Sequence, residues 1–445
     1  MTSARRLIVL ASPGLGILDN WLPVLTEARA RRPDLEVVVV VPERATLLDV
    51  DPDDTVVRLT DALADRVVVP AVDGGLVVQR SLADARAAAA TEVRAERALR
   101  LLAAVGRRLG RSVDPGRPPL APALRGLRPA ALRGRDADVA ALGGPSARVC
   151  YDVYVHRKPA ARRVLTALGA TPRWSLHHGI DLIAPSPRDV PSPEPHLEVR
   201  ASLYAPSERD VYLTRYGVPA DRIHVDGVPR SDPAWVDRVV ATSADRHATQ
   251  APGYVLVVSR PAGSSYLPWD RKVRALRDLH LAVCEERGLR LVVKPHPKEG
   301  EDGTLAAALP PDLEGVTWER SRAHPFHLAA GAHAAVAFHS GLVVDLVDLG
   351  LPVIELIDVR GLAPHDGPET VRDGRGRPAF SAFRRTGMVR AADDVDDLRA
   401  HLDRIAADRD GVVVALRAAR DRAFARVPNA AGRIAEDLLR PWPAP

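Results

Sequence analysis

Four short segments of this 445-residue chain carry side chains suited to chemistry, and each follows a strand-like run. The first is HHGID (177–181). A strand ending in His-His-Gly aims an imidazole past the strand end, where it can take up a proton near neutral pH. Gly179 lets another group approach the backbone closely. The plain alternative is a hydrogen-bonded structural histidine. The second segment is VKPHPKE (293–299), which holds Lys294 and Lys298, two of only four lysines beside 58 arginines. A compact ammonium suits a phosphate better than a planar fork does. Pro295 and Pro297 fix the backbone around His296, so its ring is presented at little entropic cost. The alternative is a rigid turn with solvated charges. The third, FHSG (338–341), enters an apolar helix. Ser340 can cap that helix, and the amides at its start suit an anion; capping alone also explains the serine. The fourth, PAGSS (261–265), brings amides and hydroxyls of Gly263, Ser264 and Ser265 to face a phosphate.

Other chemistries are excluded. Of His324, His327, His333 and His339, only HPFH forms a short pair, Pro325 interrupts it, and no carboxylate pair completes a ligand set, so no metal site is expected. The chain lacks G-x-x-x-x-G-K-[ST], and GLG (14–16) has no third glycine at the dinucleotide spacing. Cys150 and Cys284, 134 positions apart, exclude a disulfide framework and a cysteine-built zinc site, and point to a reducing cytosol. Phe, Trp and Tyr make up only 4% of the chain, too few for stacking on single-stranded nucleic acid. No apolar run reaches the roughly 18–20 residues of a membrane helix. The start, MTSARRLIVLASPG, reads as a first strand rather than a signal peptide.

The elements that must position these groups alternate between strand and helix. RLIVLA (6–11), LEVVVVVP (35–42), RVCYDVYVH (148–156), RWSLHHG (173–179) and RIHVDG (222–227) read as strands, with helices over 19–31, 81–109 and 159–168. After a polar linker at 242–253 the rhythm restarts: YVLVVSR (254–260), a helix over 268–287, LRLVVKPHP (289–297), HAAVAFHS (333–340), a helix, then LPVIELID (351–358). Helices close the chain at about 394–407 and 410–426. Continuous apolar strands between helices indicate parallel sheets covered on both faces. The expected architecture is α/β, with two doubly wound, Rossmann-like domains, 1–245 and 246–445, whose last helices pack near the linker. Residues 100–135 hold nine arginines and one acid, a net +8 in a chain of net +5. The proline-rich part, 114–135, reads as a basic loop, either solvated or an anion-seeking arm for a membrane surface or polyanionic acceptor.

Taken in order, HHG, APSERD, GVPRSD (227–232), VKPHP and HSGLVVDLVDLGLPVIEL resemble the CDP-glycerol glycerophosphotransferases that polymerise teichoic acids, over about 174–358. The resemblance implies a GT-B fold, two domains facing across a cleft. By position it makes His178 the general base and puts Lys294 and His296 near the donor phosphates. It sets Arg230 at the arginine of P-R-x-D, as a donor-binding residue, with Ser340 and Asp345 at the first serine and final aspartate of D-Y-S-S-x-x-x-D. Phe338 stands where the family has Asp, and Gly341 where it has the second Ser, which leaves donor base and transferred group open.

The expected function is transfer of a glycosyl or polyol-phosphate group from a CDP- or UDP-linked donor to a cell-envelope polysaccharide or teichoic-acid-like acceptor. No cofactor beyond that donor is expected. Lys294, His296 and Ser340 come from two neighbouring strand ends and would hold the diphosphate, with Glu355 on a ribose hydroxyl or merely solvated. The location is cytoplasmic, with peripheral contact at the inner face of the membrane through 100–135. Two other readings are a UDP-N-acetylglucosamine 2-epimerase-like isomerase and a non-catalytic GT-B-shaped binding subunit.

Overall fold

Valine-rich runs become the inner strands of two largely parallel sheets. The computed structural model describes residues 4–12, 15–48, 54–70, 76–91, 93–94, 135–136, 138–177, 196–242, 253–263, 267–296, 299, 303–360, 382–424 and 426–441. The runs RLIVL (β1, Arg6–Leu10) and EVVVV (β2, Glu36–Val40) are buried after their first residue, as a sheet covered on both faces requires. The first sheet adds β3 (Arg66–Pro70), β4 (Leu76–Gln79), β5 (Arg135–Asp136), β6 (Ala147–Tyr151), β7 (Arg173–Leu176), β8 (Val199–Leu203) and β9 (Ile223–Val225). Its order is β5-β4-β3-β2-β1-β6-β7-β8-β9. β1 pairs in parallel with β2 and β6, and β6 with β7, while β4 runs antiparallel to β3 and β5.

The second sheet is built from β10 (Tyr254–Val258), β11 (Arg290–Lys294), β12 (Trp318–Arg320), β13 (Ala332–Ala337), β14 (Val353–Leu356) and β15 (Arg390–Ala392). Every pair is parallel, in the order β12-β11-β10-β13-β14-β15. The helix Trp269–Leu279 continues as a π-helical turn over His280–Glu285, where His280 Nδ1 lies 3.1 Å from Glu285 Oε1 and Nε2 lies 3.1 Å from Thr317 Oγ1.

Two compact units divide the chain, one of residues 1–178, 198–201 and 431–445, the other of 179–197 and 202–430. The chain thus returns at its end to the first unit, where the buried Arg148 donates to Arg440 O at 3.2 Å.

The expected strand 148–156 stops at Tyr151, because Asp152 caps a 3-10 turn over Val153–Arg157, its Oδ1 accepting from Tyr154 N at 2.9 Å. Strands β3, β4, β5, β8, β12 and β15, and helices including Thr55–Leu63, Pro233–Ala241 and the last, Ala430–Leu439, have no counterpart among the elements expected from the sequence. The expected helix 81–109 begins at 82 and is helical over 82–91 and 93–94; residues 92 and 95–109 lie outside the described residues, as do 114–134 and most of the linker. Among the described residues no helix is long and apolar enough to cross a membrane.

Candidate active site

Register places the candidate residues of the second sheet at one level. Val258 of β10 pairs with Lys294 of β11 on one side and Ala337 of β13 on the other, and Ala337 pairs with Glu355 of β14. From β10 the chain builds outward to β11 and β12, then returns to add β13, β14 and β15 on the other side. The reversal falls between β10 and β13. In doubly wound sheets the crevice beyond the carboxyl ends at this reversal is where ligands bind. Ser259–Gly263 follows β10 and Phe338–Gly341 follows β13, so both sequence-predicted loops reach this crevice. A side-chain bond ties them: Arg260 Nη1 donates to His339 O at 2.7 Å. Gly263 has φ +103°, a conformation that favours glycine, and its amide donates to Leu267 O at 3.0 Å.

The loop after β10 adjoins β11, Ser259 N donating to Lys294 O at 3.0 Å, but the loop after β13 is less close to Lys294 and His296 than expected. Ser340 does not follow a neighbour of β11, because β10 lies between β11 and β13. At about 4.8 Å per strand, the two ends stand about 10 Å apart. Lys294 Nζ donates to Ala323 O at 2.8 Å. Past β11, the main chain of His296 is clamped by Glu299. His296 N donates to Glu299 Oε2, and Glu299 N donates back to His296 O, both at 2.8 Å.

Glu299 is the residue the sequence reading passed over. Its Oε1 accepts from Ser259 Oγ at 2.7 Å and from Lys272 Nζ at 2.5 Å. It therefore joins the end of β10, the helix Trp269–Leu279 and the Pro-His-Pro loop. The signal was present in composition: Lys272 is one of four lysines in an arginine-dominated chain, and this one is spent on a buried carboxylate.

Ser340 acts as a helix cap, its Oγ accepting from Leu342 N at 3.3 Å at the start of the helix Leu342–Asp348. Arg230 and Asp345, matched separately to family motifs, meet each other. Arg230 Nε donates to Asp345 Oδ1 at 2.7 Å and Nη2 to Oδ2 at 2.5 Å, with both residues buried. This buried pair occupies the guanidinium assigned to donor binding. Glu355 is neither solvated nor presented to a ribose. It is 0% exposed, and Arg384 Nε donates to its Oε2 at 2.8 Å. Its other oxygen, Oε1, lies 3.6 Å from His339 Nδ1.

Further along the same edge, a cavity is lined by Leu267, Arg271, Leu356, Ile357, Asp358 and Asp393. Burial works to raise the Asp358 carboxyl, but donors from Arg360 outweigh it and hold it below its ordinary range.

In the first unit, His177 is buried and held by its neighbours. Its carbonyl accepts from Asn20 Nδ2 at 3.3 Å, and its Nε2 lies 3.9 Å from Oδ2 of the buried Asp152. His178, Ser264 and Ser265 lie outside the described residues. His324 Nδ1 accepts from Phe326 N at 3.2 Å, and His327 Nε2 bonds Val239 O at 2.7 Å. No cluster of three metal-ligating side chains occurs among the described residues.

No family model matches the chain, and no curated protein matches it in sequence. Solved structures match it in fold. The wall teichoic acid polymerase TagF aligns over 98% of this chain and 88% of its own, with a TM-score of 0.54 at 10% identity. A putative UDP-N-acetylglucosamine 2-epimerase from Listeria monocytogenes aligns over 97% of this chain and 95% of its own, with a TM-score of 0.52 at 12% identity. At such identities the likeness is one of fold, and the chain is an α/β protein with the GT-B fold that it shares with these structures.

Proposed function

We propose that this protein is a transferase that moves a glycosyl or polyol-phosphate group from a nucleotide-activated donor to a cell-envelope polysaccharide or teichoic-acid-like acceptor. The observation that carries the reading is the gathering of Lys294, His296, Ser340 and Gly263 along the carboxyl edge of one parallel sheet, around its strand reversal. An ammonium, an imidazole and main-chain amides there suit a diphosphate and stabilise charge as it leaves. The fold likeness to TagF supports the same class.

In this scheme the acceptor oxygen forms the new bond to the donor's sugar carbon or phosphorus. The bond to the departing nucleotide phosphate breaks with its electron pair. The acceptor proton passes to His178, and Lys294 and His296 neutralise the departing phosphate. The basic stretch 100–135 would hold the enzyme at an anionic membrane surface.

Thermal melting with CDP, UDP, GDP and ADP, each at saturation, tests the reading. A ligand at 100 times its Kd adds about 2.7 kcal/mol of stability, a shift of about 5–10 °C for a domain of this size. The double variant Lys294→Ala, His296→Ala should lose most of that shift. If no nucleotide shifts wild type, or the double variant shifts equally, the transferase reading fails. Product formation from a UDP-sugar without acceptor would instead favour an epimerase-like isomerase, and binding without turnover a non-catalytic subunit.

A further inference from the structure

The first sheet has a strand reversal of its own. From β1 it extends through β2, β3 and β4 to β5 on one side, and through β6, β7 and β8 to β9 on the other, so the reversal falls between β1 and β6. Ser12 stands two residues past β1, and Asn20 lies in the second turn of the helix Gly16–Arg31 that follows. Both are 1% exposed. Asn20 Nδ2 donates to the carbonyl of His177, just past β7, at 3.3 Å. The amide group therefore stands at the carboxyl edge of the sheet. Its orientation is fixed by chemistry, since only the NH₂ end can bond a carbonyl. The other end, Oδ1, belongs to the same planar group and lies beside it. Oδ1 is buried, and among the described residues it has no hydrogen-bond donor. The buried hydroxyl of Ser12 is likewise without a partner among them. β6 ends at this edge in Asp152, which is 0% exposed and whose Oδ2 lies 3.9 Å from His177 Nε2.

A buried carbonyl oxygen or hydroxyl without a partner costs stability, and each one in a native fold calls for a use. Two of them at the reversal of a parallel sheet, where ligands bind, point to a ligand. Its chemistry follows from theirs. Oδ1 only accepts, so the ligand must donate. A hydroxyl that donates to Oδ1 can also exchange bonds with Ser12 Oγ, which both donates and accepts. A phosphate or carboxylate would instead meet the negative end of the amide and the Asp152 charge, both repulsive to an anion. We infer that the crevice beyond β1 and β6 binds a neutral, hydroxyl-bearing ligand, a polyol or a sugar, through Asn20 Oδ1 and Ser12 Oγ. The identity of that ligand rests on the transferase reading: it is the acceptor, entering by a hydroxyl rather than by a terminal phosphate. Asn20 then has two tasks. Its donor end ties the helix to β7, and its acceptor end selects the ligand.

The test is saturation-transfer NMR on the full chain with glycerol, glucose and glycerol 3-phosphate, run beside melting curves with CDP and UDP. Wild type should bind glycerol or glucose, and glycerol 3-phosphate more weakly. Ser12→Ala removes a hydroxyl without a partner among the described residues, so its melting temperature should match or exceed wild type. Its binding of the preferred polyol or sugar should weaken about fivefold to tenfold. Asn20→Leu, close in size, should weaken binding as much. The nucleotide melting shift should persist in both, because the proposed diphosphate ligands belong to the second unit. Wild type that binds neither glycerol nor glucose, or that prefers glycerol 3-phosphate, overturns the assignment. So does binding within about twofold of wild type in either folded variant, which would mark ordered water as the partner of that group. A nucleotide shift in wild type leaves the transferase reading standing through all of these failures. Wild type that no nucleotide shifts overturns the transferase reading, while the polyol and sugar signals still decide whether the crevice binds hydroxyls.

Discussion

Lys272 and Glu299 form a buried ion pair, Nζ to Oε1 at 2.5 Å, with side chains 0% and 2% exposed. The same carboxylate receives the amide of His296, two residues past the end of β11, and the hydroxyl of Ser259. Its effect is to fix where the loop leaves β11. Removing one partner of such a pair strands the other charge, at about 3–5 kcal/mol, whereas replacing both with apolar side chains is often neutral or stabilising. Glu299→Ala should therefore lower urea stability by about that amount. Lys272→Met with Glu299→Met should recover most of it. The double variant should nevertheless show a smaller melting shift with nucleoside diphosphate than wild type, because His296 N has lost its acceptor. A double variant with the full shift would show that Glu299 serves stability alone.

Arg230→Lys tests whether the Arg230–Asp345 pair is structural. Lysine keeps the charge but cannot reproduce the two parallel bonds to Asp345. We expect a loss of about 1.5–3 kcal/mol in denaturant unfolding, the range for a hydrogen bond to a charged group. Nucleotide affinity should be unchanged, since the guanidinium is spent on Asp345. Weakened nucleotide binding at unchanged stability would return Arg230 to the donor site.

Much of the second sheet could be read from sequence because its strands are plain apolar runs. YVLVV and RLVVK are buried on both faces and announce themselves by composition. The short edge strands could not be read this way. WER of β12 and RAA of β15 have no periodicity of their own and exist because a longer neighbour offers a pairing edge. The site divides similarly. Lys294, His296 and Ser340 stood out by residue type and position. Glu299 and Arg384 acquire meaning only through partners 27 and 29 positions away, and the pairing of Asp345 with Arg230 spans 115 positions. No local spacing encodes such pairs. The strand order that puts β10 between β11 and β13 is likewise a property of the sheet, in which chain order is not spatial order.

Thiol chemistry gives a pH-dependent check on the core. Burial pushes the Cys284 thiol up to about 11, and the fully buried Cys150 is raised further. A thiol is reactive as its thiolate, so at pH 8 about one part in a thousand of Cys284 would be reactive. Neither thiol should react with Ellman's reagent in native buffer at pH 8, and both should react in guanidinium. Raising the pH toward 10 should increase the Cys284 rate about tenfold per unit, ahead of Cys150. Fast reaction of one native thiol at pH 8 would contradict the burial of these side chains.

The tandem histidines should separate folding from chemistry. His177 is buried, its carbonyl holds Asn20 and its ring faces Asp152 at 3.9 Å. His177→Ala opens space beside a buried carboxylate, and leaving a buried polar group unsatisfied costs about 1–3 kcal/mol. The variant should melt lower and keep most of its turnover per folded molecule. His178→Ala should do the reverse. A general base contributes about 10²–10⁴-fold in rate, and the proposed diphosphate ligands all come from the second unit, so donor-induced stabilisation should stay near wild type. Initial rates under saturating donor, set beside melting curves with and without nucleotide, separate the two residues. Near wild-type kcat in His178→Ala would remove the base from the mechanism. A His178→Ala variant that loses its nucleotide shift would place that histidine among the donor ligands instead.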